Sequence, residues 1–259
     1  KYSICNFHPK NIYLLLKDEK GNVNLLIITG SGNITPNGWC ENFECFSFIE
    51  LDKKFRNPYT TSTISLQDNL DSINNLILNK KYTEAEDEVY NFLKYTDEEG
   101  FVTFSNFKQS FQDFLKQNIL IDNSINEVEI ISPYFSNDTA NVDFLTRNDI
   151  KSIKCLLPTL KDNEIQLNEN VFKELNTKGI KWCKWDTITD KDGEQNKNLE
   201  SRNTHAKIYK FYGIDKTYTI IGSVNFTNPA WAFFNNKKNN ANIETAVLYI
   251  EKNRDGQKI

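Results

Sequence analysis

Two stretches of the chain repeat one set of polar residues. The first holds His8-Pro9-Lys10, then Gly30-Ser31-Gly32-Asn33, then Asn42-Phe43-Glu44. The second holds His205-Ala206-Lys207, then Gly222-Ser223-Val224-Asn225, then Asn242-Ile243-Glu244. Each copy adds a Thr two residues after its Asn (Thr35, Thr227) and a Trp six after it (Trp39, Trp231). The only two histidines of the chain each head one copy. On a strand, His and Lys at i and i+2 point to the same face. A small Gly-Ser turn at the end of the next strand lets its Asn and hydroxyl approach them. Lys10, Lys207, Asn33, Asn225, Ser31 and Ser223 are donors suited to phosphate oxygens. Histidine is the residue type for proton transfer near neutrality.

Glu44 and Glu244 can each accept from an imidazole nitrogen and fix its tautomer. Two copies facing each other would set two His, two Lys and two Asn around one phosphate. One imidazole then attacks phosphorus and the other protonates the leaving oxygen. Lys and Asn stabilise the developing charge, so no metal or other cofactor is required.

These residues resemble the phospholipase D superfamily, whose HxK…GSxN repeats build one active site at the junction of two halves. The resemblance spans the chain except its middle, Leu66 to Leu120. The family's usual HxKxxxxD places an Asp five residues after the Lys, where this chain has Leu15 and Tyr212. Asp18 and Asp215 come later and read as turn residues. Loss of that Asp, with the Asn…Trp spacing, is similar to the tyrosyl-DNA phosphodiesterase branch. The resemblance implies that His8 is the nucleophile and His205 the acid and base. It also implies that each Glu supports the His of the opposite half, Glu244 with His8 and Glu44 with His205.

The elements that must position these groups follow from hydrophobic pattern. Ile12–Lys17, Val23–Thr29 and Glu44–Leu51 read as strands around the first copy. Lys53–Ser65 is a polar loop. Leu66, Leu70, Ile73 and Ile77 have helical spacing, as do Phe104, Phe107, Phe111 and Phe114, with Ser105 near the start. From Glu127 onward strands and helices alternate: strand Val128–Ser132, helix Asn141–Arg147, strand Ile150–Leu157, helix Glu164–Thr177 closed by Gly179, strand Ile180–Trp185. Asp186–Asn203 is a charged loop. His205–Tyr212, Tyr218–Gly222 and Thr245–Ile250 then repeat the three-strand reading. Trp39 and Trp231 are expected to pack under their loops.

The pattern predicts an α/β fold with a mostly parallel core and hairpins, built as two pseudo-symmetric mixed-sheet halves flanked by helices. Residues 1–65 form the first half, 66–122 a helical connector and 123–259 the second half. The halves are unequal. Glu127 to Asn203 precede the second His, but only seven residues precede His8. The first half is therefore expected to be incomplete at its N-terminus, and to be completed by an upstream segment of the same polypeptide or by another protomer.

Composition bounds the partners. The net charge of −4 excludes a global basic field for nucleic acid and leaves only a local basic groove. The five cysteines are odd in number and lack metal-ligand spacing. They read as reduced thiols of an intracellular, cytoplasmic protein. The sequence shows no apolar run of membrane-spanning length and no signal peptide. The expected activity is phosphodiester hydrolysis on nucleic acid, with DNA as the expected substrate and no membrane partner. The alternatives are lipid hydrolysis by the same chemistry, and a catalytically silent DNA-binding module of a larger DNA-processing or defence protein.

Overall fold

The computed structural model describes residues 6–52, 70–71, 83–93, 101–159, 164–184, 203–234 and 241–253. Strands β1 (Asn11–Lys17) and β2 (Val23–Gly30) form an antiparallel hairpin, and β3 (Phe46–Asp52) pairs with the other edge of β2. Asp18 closes the hairpin: its Oδ1 accepts the N–H groups of Lys20 at 2.9 Å and Asn22 at 2.8 Å. Gly21 supplies the positive φ of 83°, which a residue with a Cβ seldom adopts. A single π-helical turn, Asn37–Glu41, lies between β2 and β3.

The rest of the chain builds a larger sheet. Helix α1 (Thr83–Leu93) leads to β4 (Phe101–Ser105) and α2 (Phe111–Asn118). Then come β5 (Glu127–Ile131), α3 (Ala140–Arg147), β6 (Ser152–Leu156), α4 (Glu169–Thr177) and β7 (Lys181–Cys183). The last elements are β8 (Ile208–Tyr212), β9 (Lys216–Gly222), the single turn α5 (Asn228–Trp231) and β10 (Thr245–Lys252). Strand order is β1-β2-β3 in one sheet and β4-β10-β9-β8-β5-β6-β7 in the other.

The expected mostly parallel core is corrected by this order. Only β5, β6 and β7 pair in parallel, while β4, β10, β9, β8 and β5 pair antiparallel. Parallel neighbours need a long crossover, and only this stretch interposes α3 and α4. A tight turn such as Gly213 to Lys216, with its 2.9 Å backbone bond, enforces the antiparallel pair β8–β9.

Strand β10 holds the halves together because both of its faces are buried. Ala246 and Leu248 enter the large core with Phe104, Phe111, Phe211 and Ile220. Val247 points the other way, into a second core with Leu25 and Ile27 of β2, Ile49 and Leu51 of β3, and Val89, Phe92 and Leu93 of α1. Register places Leu25 opposite Leu51 and Ile27 opposite Ile49, so one face of the small sheet is apolar and covered.

Two further expectations are corrected. Phe104 lies in β4 and not in a helix with Phe111 and Phe114. The helix begins only at Phe111, where the Ser110 hydroxyl accepts the Asp113 N–H at 3.1 Å and caps the first turn. The helix expected from Glu164 begins at Glu169, capped by Asn168, because Ile165 is still extended and bridged to Thr159. The helical spacing at Leu66, Ile73 and Ile77, the loop Lys53–Ser65 and nearly all of Asp186–Asn203 lie outside the described residues; Leu70 itself is helical. Among the described residues, no helix is long and apolar enough to cross a membrane.

Candidate active site

The two motif copies meet by crossing. Phe7 bridges Ile243, and Phe43 bridges Thr204. The His8 N–H donates to the Ile243 carbonyl at 3.0 Å, and the His205 N–H donates to the Phe43 carbonyl at 2.8 Å. Each histidine is therefore held by the residue that precedes the glutamate of the opposite copy. His8 Nδ1 lies 2.9 Å from Glu244 Oε1. His205 Nδ1 lies 2.8 Å from Glu44 Oε1 and 3.0 Å from Oε2. An ionised carboxylate only accepts, so Nδ1 carries the proton in both rings and each Nε2 is left as the working nitrogen.

Within each copy, the glycine of the Gly-Ser turn lets the neighbouring strand come close. A Cβ at Gly222 would sit 2.4 Å from the Thr245 carbonyl oxygen, and one at Gly30 would sit 2.5 Å from that of Cys45. The close approach brings each serine to its glutamate. Ser31 Oγ donates to Glu44 Oε2 at 2.5 Å and accepts the Cys45 N–H at 3.0 Å. Ser223 Oγ donates to Glu244 Oε2 and accepts the Thr245 N–H at 3.1 Å. Both serines are buried. They were expected to donate to phosphate; here the single hydroxyl proton of each is directed at a carboxylate. Asn42 and Asn242 also donate to Glu44 and Glu244, at 3.3 and 3.1 Å.

The lysines complete the cluster. Lys10 Nζ donates to the His8 carbonyl and Lys207 Nζ to the His205 carbonyl, each at 2.5 Å. Burial pushes the Lys207 ammonium down to about 7; Glu44 opposes that shift and the like charge of Lys10 adds to it. Burial also lowers Lys10, against the pull of Glu244 and Glu44. For Glu44, burial acts upward, but hydrogen bonds from His205 and Ser31 and the nearby positive charges hold the carboxyl below its usual range. Lys10 and Lys207 thus sense each other and both glutamates, and the two copies form one charged cluster.

The asparagines and tryptophans break the symmetry. Asn225 is buried, and its Oδ1 has no hydrogen-bond partner among the described residues. Asn33 is exposed. Trp231 is buried as expected, and its Nε1 donates to Tyr209 Oη at 3.3 Å. Trp39 is not under its loop: it is 55% exposed and stacks on Phe46 with centroids 5.6 Å apart.

Two residues at the site went unnoticed in the sequence. Asn106 is fully buried; its Oδ1 accepts the Glu244 N–H at 2.9 Å and its amide donates to the Asn242 carbonyl. It was hidden by the helical reading of Phe104 to Phe114. Cys45 places its thiol 3.5 Å from Ser31 Oγ and 3.6 Å from the Lys207 carbonyl, and burial raises its pKa. Its position directly after Glu44, matching Thr245 after Glu244, was the available signal.

No protein-family model matches the chain, and no curated protein sequence does. Among solved structures, yeast tyrosyl-DNA phosphodiesterase matches with a TM-score of 0.61 and 12% identity, over 94% of this chain and 67% of that one. A histidine variant of the same yeast enzyme matches with a TM-score of 0.59 and 12% identity, over 91% of this chain and 66% of that one. The chain spans about two thirds of the length of these neighbours. The likeness shows the fold, which is phospholipase D-like: mixed α/β, with two sheets and flanking helices.

Proposed function

We propose that the chain is a metal-independent phosphodiesterase acting on nucleic acid, with His8 as nucleophile and His205 as acid and then base. The crossed pair of His–Glu contacts beside Lys10 and Lys207 carries this reading. The unpartnered Asn225 Oδ1 is an acceptor, so a phosphoryl oxygen would be met by the amide's N–H group instead. The fold shared with a tyrosyl-DNA phosphodiesterase supports nucleic acid as the substrate class.

Charge supports one acid and one base. With both lysines protonated and both glutamates ionised, the four groups sum to zero. A monoanionic diester is then balanced by one imidazolium. In that state His8 Nε2 attacks phosphorus, the bond to the leaving oxygen breaks, and His205 Nε2–H gives that oxygen its proton. The product is a phosphoramidate on His8. His205, now neutral, takes a proton from water as the water oxygen attacks phosphorus; the P–N bond breaks and His8 is restored. Glu244 and Glu44 hold the rings and stabilise the imidazolium, and Lys10, Lys207, Asn33 and Asn225 stabilise charge on the phosphoryl oxygens.

The test is cleavage of a radiolabelled oligonucleotide in EDTA, with acid-quenched single turnovers. Activity persists in EDTA, and phosphate or sulfate inhibits. His8→Ala gives no labelled protein, and His205→Ala accumulates it when the leaving group is activated. Activity lost in EDTA and restored by Mg²⁺ sinks the reading; cleavage of phosphatidylcholine vesicles but not oligonucleotides moves the substrate to lipid.

The first half is completed, in this reading, by a further segment of the same polypeptide or by another protomer. The free thiols of Cys40, Cys45, Cys155 and Cys183 fit a reducing, intracellular setting.

A further inference from the structure

We infer that Tyr134 is a specificity-determining residue that packs against the leaving group on the His205 side of the site and selects a leaving group with a flat π-face. The inference rests on the reading above, in which His205 protonates the leaving oxygen. The Tyr134 ring meets the His205 ring edge to face, with centroids 6.5 Å apart and planes at 82°. His205 Nδ1 is held by Glu44, so whatever leaves from phosphorus must meet at its other nitrogen the same imidazole on which the Tyr134 ring packs.

Tyr134 is exposed yet its backbone is fixed. It is 43% exposed, while Ser132, two residues before it, is buried. Ser132 Oγ donates to the Tyr134 carbonyl at 2.8 Å and accepts the Phe226 N–H at 2.9 Å. Phe226 follows Asn225 directly. Phe135 bridges Phe226, and their rings pack 5.4 Å apart. The tyrosine is thus tied through one buried serine to the loop that carries the site's buried asparagine. Its hydroxyl has no hydrogen-bond partner among the described residues, so both the ring face and the polar tip are free for a ligand. A rigidly placed, half-exposed aromatic beside a proton donor offers a stacking surface at little conformational cost. A nucleoside whose sugar carries the leaving oxygen and an aryl group at that oxygen both offer this flat face.

The experiment compares three diesters of one nucleotide: a p-nitrophenyl ester, a dinucleotide and a methyl ester. First-step rates come from single turnovers, and hydrolysis of the phosphohistidine is followed after rapid separation of the leaving group. Tyr134→Ala is expected to lower kcat/KM about tenfold for the aryl ester and the dinucleotide, from the usual worth of base–aromatic stacking. The methyl ester should change less than about twofold, and Tyr134→Phe should retain most of the discrimination. Hydrolysis of the phosphohistidine should be unchanged, because the leaving group has gone. If Tyr134 only braced His205, both steps would slow for all three esters, since His205 serves in each; that result overturns the inference. So does equal cleavage of all three esters by the alanine variant and the parent. A parent protein that cleaves none of them removes the phosphodiesterase reading and the role of Tyr134 with it.

Discussion

Lys207 is the residue with the most to lose by being where it is. An ammonium ion nearly out of water is costly unless an anion accompanies it, and Glu44 and Glu244 are shared with Lys10 and both histidines. The Lys207 pKa of about 7 lies below the ordinary lysine value of 10.5. Between those values the unfolded chain binds more protons than the folded one, so stability of the ligand-free protein rises with pH across that window. Below about 7 the full penalty is present. Thermal melts should therefore show a larger gain from pH 6.5 to pH 9.5 in the parent than in Lys207→Met. A phosphodiester changes the balance by bringing its own negative charge. The alkaline fall of kcat/KM, which reports the free enzyme, should begin near the Lys207 value, and that of kcat should lie at higher pH. Coincident limbs would mean that this lysine does not meet the phosphate. At this scale the sequence was legible for the groups that repeat. Both histidines, lysines and glutamates come together as their spacing implied. The bonds of Ser31 and Ser223 to the glutamates of their own copies were not legible, because they follow from the registers of β2 with β3 and of β9 with β10, which motif spacing does not state.

Among the elements, the loop from Asn242 to Glu244 is held on one side by a single side chain. Asn106 extends the β4–β10 pairing past its last strand residue, accepting from the Glu244 N–H and donating to the Asn242 carbonyl. Asn106→Leu would leave those buried backbone groups without partners, at about 1–3 kcal/mol for each unsatisfied group. A lower melting temperature is expected, with weaker formation of the labelled adduct on His8, since Glu244 fixes that imidazole. An unchanged melting temperature would show that water replaces the amide. The same region marks where pattern reading failed. Phe104, Phe107, Phe111 and Phe114 fit a helical period, yet Phe101–Ser105 is a strand. Short apolar runs do not distinguish the two, and here β10 decides by offering an unpaired edge to β4. Strands β1, β2, β6, β9 and β10 were legible to within a few residues because turns or charges bound them. The mixed order of the large sheet was not, because antiparallel pairing of β8 with β5 depends on contacts distant in sequence.

Across the whole molecule, the two halves bury equivalent positions very differently. Leu14, four residues after Lys10, is 41% exposed, and Phe211, four after Lys207, is 0% exposed. Ile34 beside Asn33 is 77% exposed, and Phe226 beside Asn225 is 2% exposed. Phe48 and Leu248, each four after the motif glutamate, are 63% and 0% exposed. In the second half these positions lie within the core that β5, β6 and their helices close, and β8 pairs with β5. The outer edge of β1, which corresponds to β8, carries no strand among the described residues. An unpaired edge beside exposed apolar side chains favours an added strand and a covering layer. If a further segment or another protomer completes the first half, as proposed above, it should pair antiparallel with β1 and cover Leu14, Ile34 and Phe48. Burying side chains of this size is worth about 1.5–3 kcal/mol each. Leu14→Lys and Phe48→Lys should accordingly lower the melting temperature of the completed protein, or dissociate it if the unit comes from another protomer, as sedimentation would show. The same substitutions in residues 1–259 alone should leave stability nearly unchanged and improve solubility. If they are neutral in both settings, this face meets solvent in the working protein, and the small sheet stands without a counterpart to the β5–β7 layer.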